Sequence, residues 1–436
     1  MIGNPEKMLK KLVKKILGKK LLLTYHLSLA KLAALYYGHP ADKLIVIGVT
    51  GTNGKTTVVN FVSQYLDSLN QKNGLASTVN FKVADQKWLN DKKMTMLGRF
   101  QTQRLLSDMV KAGCKYAVIE TSSQGIEQFR HIGINYDLVI FTNLTPEHIE
   151  AHGSFENYRA YKEKLFKHLS NSKQKVLDNK KIPKIIVSNN DDLETERLKK
   201  YKVDKFVTYS IDNNSDYQAQ DIKLEEGVAF SLKNNKIATN FIGRFNVYNI
   251  LAALVAVKEL GFGLEKLTKA KLIGIPGRQE WIDEGQEFKV LVDYAPEPES
   301  LGQLYKTLTT INKSRLIHVI GSCGGGRDKA RQPIMGKLAG QKADIVIVTN
   351  EDPYDDDINE IIDNVSSGAV EVGKIEDKDL FKIESRTQAI ARAIGLAQTN
   401  DIVLITGKGA EQFICGPNGQ MIAHDDRQVA RDVLKK

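Results

Sequence analysis

The chain has 436 residues, 42% hydrophobic and 26% charged, a make-up that excludes a disordered or low-complexity protein and leaves room for two or three cores. The formal net charge of +10 is concentrated at the N-terminus and comes with no nucleic-acid-binding signature, so nucleic acid is excluded as a partner. Three scattered cysteines, Cys114, Cys323 and Cys415, exclude a disulfide framework and a zinc site, and no apolar run reaches the roughly 18 residues of a membrane span; a cytoplasmic setting fits.

Residues 1–40 read as a basic helical arm. Lys7, Lys10, Lys11, Lys14, Lys15, Lys19 and Lys20 interleave with Met8, Leu9, Leu12, Val13, Ile16 and Leu17, which on a helix makes an apolar stripe beside a cationic face. Such a helix either lies through residues 1–21 on an anionic membrane, here its inner face, or packs as a solvated arm on the body. The apolar run Leu44–Ile47 then delivers the chain as a strand into Gly48-Val-Thr-Gly-Thr-Asn-Gly-Lys-Thr-Thr57, a phosphate cradle. Small residues let successive N–H groups turn onto phosphate, Lys55 neutralises the β/γ oxygens, and the Thr56 hydroxyl can ligate Mg²⁺. The helix that follows is predicted over Val58–Leu69, its positive end adding to the anion site.

Strands at Tyr116–Glu120, Leu138–Thr142 and Lys184–Ser188, with a helix at Phe155–His168, alternate as in a mostly parallel sheet covered on both faces. Val207–Phe241 reads as a small antiparallel insert, and a helix over Val247–Leu260 leads to a boundary at Ile275-Pro276-Gly277. From Trp281 the rhythm repeats, with strands at Lys289–Asp293, Leu316–Gly321, Ile345–Thr349 and Ile402–Thr406, which predicts a second, Rossmann-like doubly wound sheet. The predicted division is an arm (1–40), an ATP-binding α/β domain (41–276) and a C-terminal α/β domain (277–436), with a two-substrate cleft between the last two.

Two strand ends carry further chemistry. Val118-Ile-Glu-Thr-Ser-Ser123 puts Glu120 at the C-terminal edge of the sheet, facing whatever the loop holds, with Mg²⁺ as its partner or a strand-end cap as the plainer role. Phe141-Thr-Asn-Leu144 leads to Glu147-His148, a weak signal alone. Lys162, by spacing, is an ordinary solvated helix lysine.

Eight motifs in order carry a resemblance: Gly51-Thr-Asn-Gly-Lys-Thr-Thr57, Glu120-Thr-Ser-Ser123, Thr142-Asn-Leu-Thr-Pro-Glu-His148, Tyr158-Arg-Ala-Tyr-Lys162, Gly243-Arg-Phe-Asn-Val-Tyr-Asn249, Pro276-Gly-Arg278, Val292-Asp-Tyr-Ala295 and Gly324-Gly-Gly-Arg-Asp-Lys329. The chain resembles the Mur ligases, and within them the MurE subgroup, the UDP-N-acetylmuramoyl-tripeptide synthetases of peptidoglycan precursor synthesis. That resemblance implies a monomeric enzyme that forms an amide at the expense of ATP: the carboxylate of a muramoyl-peptide acceptor attacks the γ-phosphate, and the amino group of an amino acid displaces phosphate from the acyl phosphate. It also implies two Mg²⁺ ions, one served by Thr56 and Glu120 and a second by Glu120, His148 and a carbamylated Lys162. Lys55, Glu120, His148 and Lys162 are the implied catalytic set. Gly51, Thr52, Asn53, Gly54, Lys55, Thr56 and Thr57 with Asn246, Asn249, Arg278 and Asp293 are implied for ATP. Ser122, Gln128 and Arg130 are implied for the acceptor, and Arg327, Glu351, Asp352, Tyr354, Gly407 and Glu411 for the amino acid.

The chain departs from that pattern in three places. Residues 1–40 are too few for the uridine-nucleotide-binding domain of MurE enzymes, and Thr95-Met-Leu-Gly-Arg-Phe100 replaces their Thr-Thr-Pro, so a lipid-linked acceptor is an alternative to a uridine-linked one. Glu351-Asp-Pro-Tyr354 stands where enzymes specific for meso-diaminopimelate have Asp-Asn-Pro-Arg; tyrosine lacks the bidentate grip on a carboxylate, and the acidic run with Glu411 suits a side-chain ammonium, which predicts lysine or ornithine over meso-diaminopimelate. Pro296 replaces a histidine after Asp-Tyr-Ala. The competing readings are a ligase of the folylpolyglutamate or cyanophycin synthetase type and a non-catalytic ATP-binding scaffold.

Overall fold

A computed structural model describes residues 19–145, 153–326 and 329–436. The helix Lys19–Tyr36 enters the description at its first residue, so most of the predicted lysine-studded stripe, residues 7–17, lies outside the described residues.

Ile45–Thr50 is buried along its whole length, which a strand achieves only inside a sheet covered on both faces. It pairs in parallel with Tyr116–Glu120 on one side and Leu138–Phe141 on the other. Beyond Leu138–Phe141 the sheet continues through Ile185–Asn189, Lys205–Ser210 and Tyr217–Gln218; beyond Tyr116–Glu120 it runs through Asn73–Ala76 to an antiparallel hairpin, Asn80–Val83 and Gln86–Leu89. That hairpin edge escapes sequence reading because polar side chains flank its one buried apolar residue, Phe81: Asn80 bonds Ser77 and Asn60, and Lys82 reaches Asp67 at 2.6 Å. The predicted antiparallel insert is smaller than Val207–Phe241. Lys205–Ser210 joins the main sheet in parallel, and only Gln220–Lys223, Val228–Leu232 and Asn235–Thr239 form a separate meander.

The helix after the phosphate loop runs Lys55–Ser68, three residues earlier than its apolar pattern, because Gly54 turns the chain with φ +83° and the polar first turn conceals the start. Arg244–Glu259, apolar all round from Ile250 to Val257, is buried against the helix Lys55–Ser68 and the sheet. The second sheet has the order Glu280–Ile282, Lys289–Val292, Ile402–Ile405, Leu316–Ile320, Ile345–Thr349, Leu380–Ile383, parallel except for its first strand. Strand ends of both sheets meet at a cleft of about 1440 Å³.

Candidate active site

The phosphate loop is stitched to the neighbouring strand end. The Thr142 hydroxyl donates to the Asn53 carbonyl at 2.7 Å, and the Asn53 and Thr52 N–H groups donate to the side-chain and main-chain oxygens of Asn143, each at 2.8 Å. Thr52 shares a 3.0 Å hydrogen bond with the Tyr158 hydroxyl. Only glycine fits the two turns: a Cβ on Gly51 would stand 1.9 Å from Thr142 Oγ1, and one on Gly54 2.3 Å from Asn249 Oδ1. Lys55, first residue of the helix, donates to the Thr52 carbonyl at 2.6 Å, its ammonium lining the cleft.

Glu120 is buried at its strand end and collects donors from two elements: Thr56 Oγ1 at 2.9 Å, Thr78 N at 2.8 Å and Thr78 Oγ1 at 3.0 Å. Lys162 is not the solvated lysine its spacing suggests. It is 3% exposed, donates to the Gly51 carbonyl at 2.5 Å and lies 4.6 Å from the Tyr158 ring centroid, so the helix Phe155–Asn171 drives a cation against the back of the phosphate loop. Arg278 stacks its guanidinium 4.2 Å over Tyr294 and reaches Thr56 Oγ1 at 3.5 Å. Asn249 donates to Asn246 at 3.1 Å and Asn246 to Gln279 at 2.7 Å; Asp293 accepts from Gln279 N at 2.7 Å, and burial pushes its carboxyl above the usual range although Arg278 opposes this.

The residues fit a nucleoside triphosphate. Arg278 Nε and Gln279 Nε2 are buried donors with no hydrogen-bond partner among the described residues, aimed from the edge of a glycine cradle that a Cβ would fill. Thr56 and Glu120 are hard oxygen ligands suited to Mg²⁺ beside it. Among the described residues there is no group of three His, Cys, Asp or Glu that would hold a metal alone, and His148, the expected further ligand, lies outside them, as does Arg327.

At the acceptor end, Ser122 caps the short helix Ser123–Glu127 by accepting from Gly125 N at 3.2 Å, and Arg130 donates to Gln128 Oε1 at 2.7 Å. Ser122, Gln128, Arg130 and Pro296 line the same cleft as the phosphate loop. The opposite wall corrects the expectation of an open acidic surface. Lys93 Nζ stands 2.7 Å from Asp352 and 2.8 Å from Glu411; Lys408, fully buried, stands 2.8 Å from Asp352 and 2.7 Å from Glu411. Burial works against the Lys93 charge, but Glu411 and Asp352 outweigh it and hold its pKa above normal, while Asp352 is held below the usual carboxylate range. Two carboxylates therefore face two ammonium groups of the chain itself. Glu351 is buried and accepts from the Cys323 thiol, and Gly407, at φ +106°, leaves room for its carboxylate. Tyr354, at φ +56°, lines the cleft beside Glu411.

Sequence reading missed Thr78, Lys93 and Tyr158. Lys93 meets Asp352 across 259 positions, and no local pattern announces such a pair. Lys408 sits in Gly407-Lys-Gly-Ala-Glu411, three residues from Glu411, and was legible as its partner.

The chain matches the sequence model of the Mur ligase middle domain over residues 49–257 and that of the Mur ligase, glutamate ligase domain over residues 277–409. It is 38% identical over 419 residues to the UDP-N-acetylmuramoyl-L-alanyl-D-glutamate–2,6-diaminopimelate ligase of Geobacillus kaustophilus (strain HTA426), covering 94% of this chain and 82% of that protein. To the UDP-N-acetylmuramyl-tripeptide synthetase of Roseiflexus sp. (strain RS-1) it is 37% identical, covering 89% and 78%. A solved structure of a UDP-N-acetylmuramoyl-L-alanyl-D-glutamate–2,6-diaminopimelate ligase superimposes with TM-score 0.60 at 32% identity, covering 90% of this chain and 78% of that one. Mycobacterium tuberculosis folylpolyglutamate synthase shares the fold, with TM-score 0.69 at 15% identity over 94% and 95%.

Proposed function

The chain belongs to the Mur ligase family, and from that premise we propose that it is an ATP-dependent ligase joining a diamino acid to the carboxylate of a muramoyl-peptide acceptor in peptidoglycan precursor synthesis. The observation that carries the reading is the convergence of Lys55, Thr56, Glu120 and the buried Lys162 on one phosphate loop at the floor of a two-walled cleft. The loop N–H groups, Lys55 and Arg278 bind the triphosphate, and Asn246, Asn249 and Asp293 hold the nucleoside end. Mg²⁺, held by Thr56 and Glu120 and in a second site by Glu120, His148 and a carbamylated Lys162, supplies the positive charge that lets one anion approach another. Ser122, Gln128 and Arg130 orient the acceptor so that its carboxylate attacks the γ-phosphorus, forming the acyl phosphate and releasing ADP. The amine then attacks the acyl carbon, and phosphate leaves.

The paired state of Asp352 and Glu411 weakens the expected preference for lysine or ornithine. 2,6-Diaminopimelate, the amino acid in the name of the Geobacillus kaustophilus relative, becomes the first candidate. Phosphate release from ATP that requires both UDP-muramoyl dipeptide and a diamino acid is the expected result. Release with other carboxylate acceptors but not with muramoyl peptides would move the assignment to a folylpolyglutamate-type ligase, and no release at all would favour a scaffold.

A specific observation favours a second element, attachment to the membrane face. The helix Lys19–Tyr36 exposes Leu21, Tyr25, Leu32, Leu35 and Tyr36 along one side, the last two 66% and 74% accessible, downstream of the lysine-rich segment. No described helix is long and apolar enough to cross a membrane. Sedimentation with anionic vesicles that weakens with salt and is lost in Leu32→Glu/Leu35→Glu is expected, each lysine near the surface contributing about 1 kcal/mol. Equal recovery with neutral vesicles would overturn it.

A further inference from the structure

Arg130 lines the acceptor end of the cleft with Gln128, and a second guanidinium, that of Arg99, stands behind the lining and is joined to Arg130 through that one neutral residue. Arg130 donates Nε and Nη2 to Gln128 Oε1 at 3.1 and 2.7 Å and Nη1 to the Met96 carbonyl; Arg99 donates Nη2 to the carbonyl of the same Gln128. Among the described residues, Arg99 Nε is buried with no hydrogen-bond partner and neither arginine has a carboxylate within ion-pair distance. The adjacent acid, Glu127, acts instead on Tyr161 and Lys164, and the phenol facing Arg99 is that of Tyr25. Burial, and next the Arg130 charge, lower the pKa of Arg99; burial lowers that of Arg130. Partly desolvated like charges gain when an anion is brought between them. The acidic corner opposite needs no such ligand, because its charges already balance.

We propose that Arg99 is a positioning residue for the acceptor. It fixes Gln128 from behind and adds a second positive charge to Arg130, making a seat for an anionic group of the acceptor other than the reacting carboxylate, either a second carboxylate or a phosphate of its carrier. This rests on reading the cleft as the site of a carboxylate acceptor.

The test compares the wild-type protein with Arg99→Gln and Arg99→Lys, using UDP-muramoyl dipeptide and the phosphate-free muramoyl dipeptide. Arg99→Gln is expected to raise the acceptor KM about tenfold, with kcat within about twofold and the KM for ATP unchanged, and Arg99→Lys to recover most of the loss. A defect that persists with the phosphate-free acceptor assigns the seat to a carboxylate; one seen only with the uridine-linked acceptor assigns it to phosphate. Unchanged acceptor KM in Arg99→Gln, or a fall in kcat together with a raised KM for ATP, would overturn the proposal. If the wild-type protein turns over neither acceptor, the functional reading fails separately. Calorimetric titration with pyrophosphate and with glutarate, the phosphate loop being filled by a non-hydrolysable ATP analogue, then decides: binding lost in Arg99→Gln sustains the seat, and equal or absent binding overturns it.

Discussion

Across the cleft, Arg278 Nε and Gln279 Nε2 beside the phosphate loop are buried with no hydrogen-bond partner among the described residues, whereas Asp352 and Glu411 on the facing wall are each bonded to two lysines of the chain. A buried donor without an acceptor costs free energy in the free protein and is regained when an anion arrives. A closed quartet of charges is satisfied before any ligand enters, so it contributes to the shape of the wall more than to attraction. One wall is preset to bind strongly; the other is suited to select among ligands.

The sharpest way to break that contrast is at Lys162. Replacement by alanine is expected to lower ligation about 1000-fold or more, the scale seen when a preorganised electrostatic group is removed from a reacting centre. Bicarbonate should not restore activity, because a carbamate needs the amine, whereas short carboxylic acids should restore part of it. Intact-mass measurement of an active, Mg²⁺-loaded protein with an unmodified Lys162 would remove the carbamate from the account.

The facing wall should break through stability instead. Arg386, fully buried, donates Nε and Nη2 to Asp426, each at 2.7 Å, and also to the carbonyls of Thr406 at 2.6 Å and Asn350 at 3.1 Å, so it fixes both loops that carry Asp352 and Lys408. Burial alone would raise the Asp426 pKa, but Arg386 outweighs it and holds the carboxyl well below the usual range. A depressed folded-state pKa contributes stability that is present above the unfolded value, about pH 4, and is lost as pH falls below it. Asp426→Asn is expected to cost about 3 kcal/mol at neutral pH and to flatten the acid limb of the melting profile. An unchanged acid limb would separate the pair from the wall's stability.

The two walls also differ in how legible they are. The strand, glycine loop and Lys-Thr pair of the phosphate site are contiguous, and physical chemistry reads them without a structure. Glu120 was legible because a buried strand ends in it. Lys162 was readable only through family likeness, since its helix spacing is that of a solvated lysine, and its burial comes from packing on Gly51. On the facing wall the acids of Glu351–Asp357 and Glu411 are visible in the sequence, whereas the charge that balances Asp352 and Glu411 comes in part from Lys93, which arrives from the other domain. The hairpin Asn80–Leu89, which brings Lys93 there, was invisible for a different reason: polar Asn80 and Lys82 flank its one buried apolar side chain, Phe81.

A smaller effect sharpens the phosphate side. Gly54→Ala meets two penalties, a φ of +83° and a contact of 2.3 Å with Asn249 Oδ1. Strain of about 1–2 kcal/mol from the left-handed backbone predicts a loss of ATP affinity of about five- to thirtyfold by nucleotide titration. The double variant Gly54→Ala/Asn249→Ala relieves the contact and keeps the strain, so in thermal melting without nucleotide it should recover part of the packing loss and none of the backbone loss. Full recovery would mean that the loop conformation is not preset.

The smallest expected effect tests whether the facing wall selects rather than attracts. Lys93 is 13% exposed at its side chain and lies at the cleft, so Lys93→Met removes one ammonium from the quartet and leaves Lys408 to serve both carboxylates. The freed negative charge then faces the cleft, where an ammonium of the incoming amino acid can replace the one removed. The wild-type protein is expected to use meso-diaminopimelate faster than lysine, since the closed quartet leaves no carboxylate free to take the terminal ammonium of lysine. In Lys93→Met the kcat/KM ratio of lysine to meso-diaminopimelate should rise about tenfold, which corresponds to about 1.4 kcal/mol. Lys93→Arg keeps the charge and should leave the ratio within about threefold of the wild type. A wild type that already prefers lysine, with a ratio indifferent to Lys93→Met, would show that the amino acid never meets the quartet, and the contrast between the walls would then rest on structure alone.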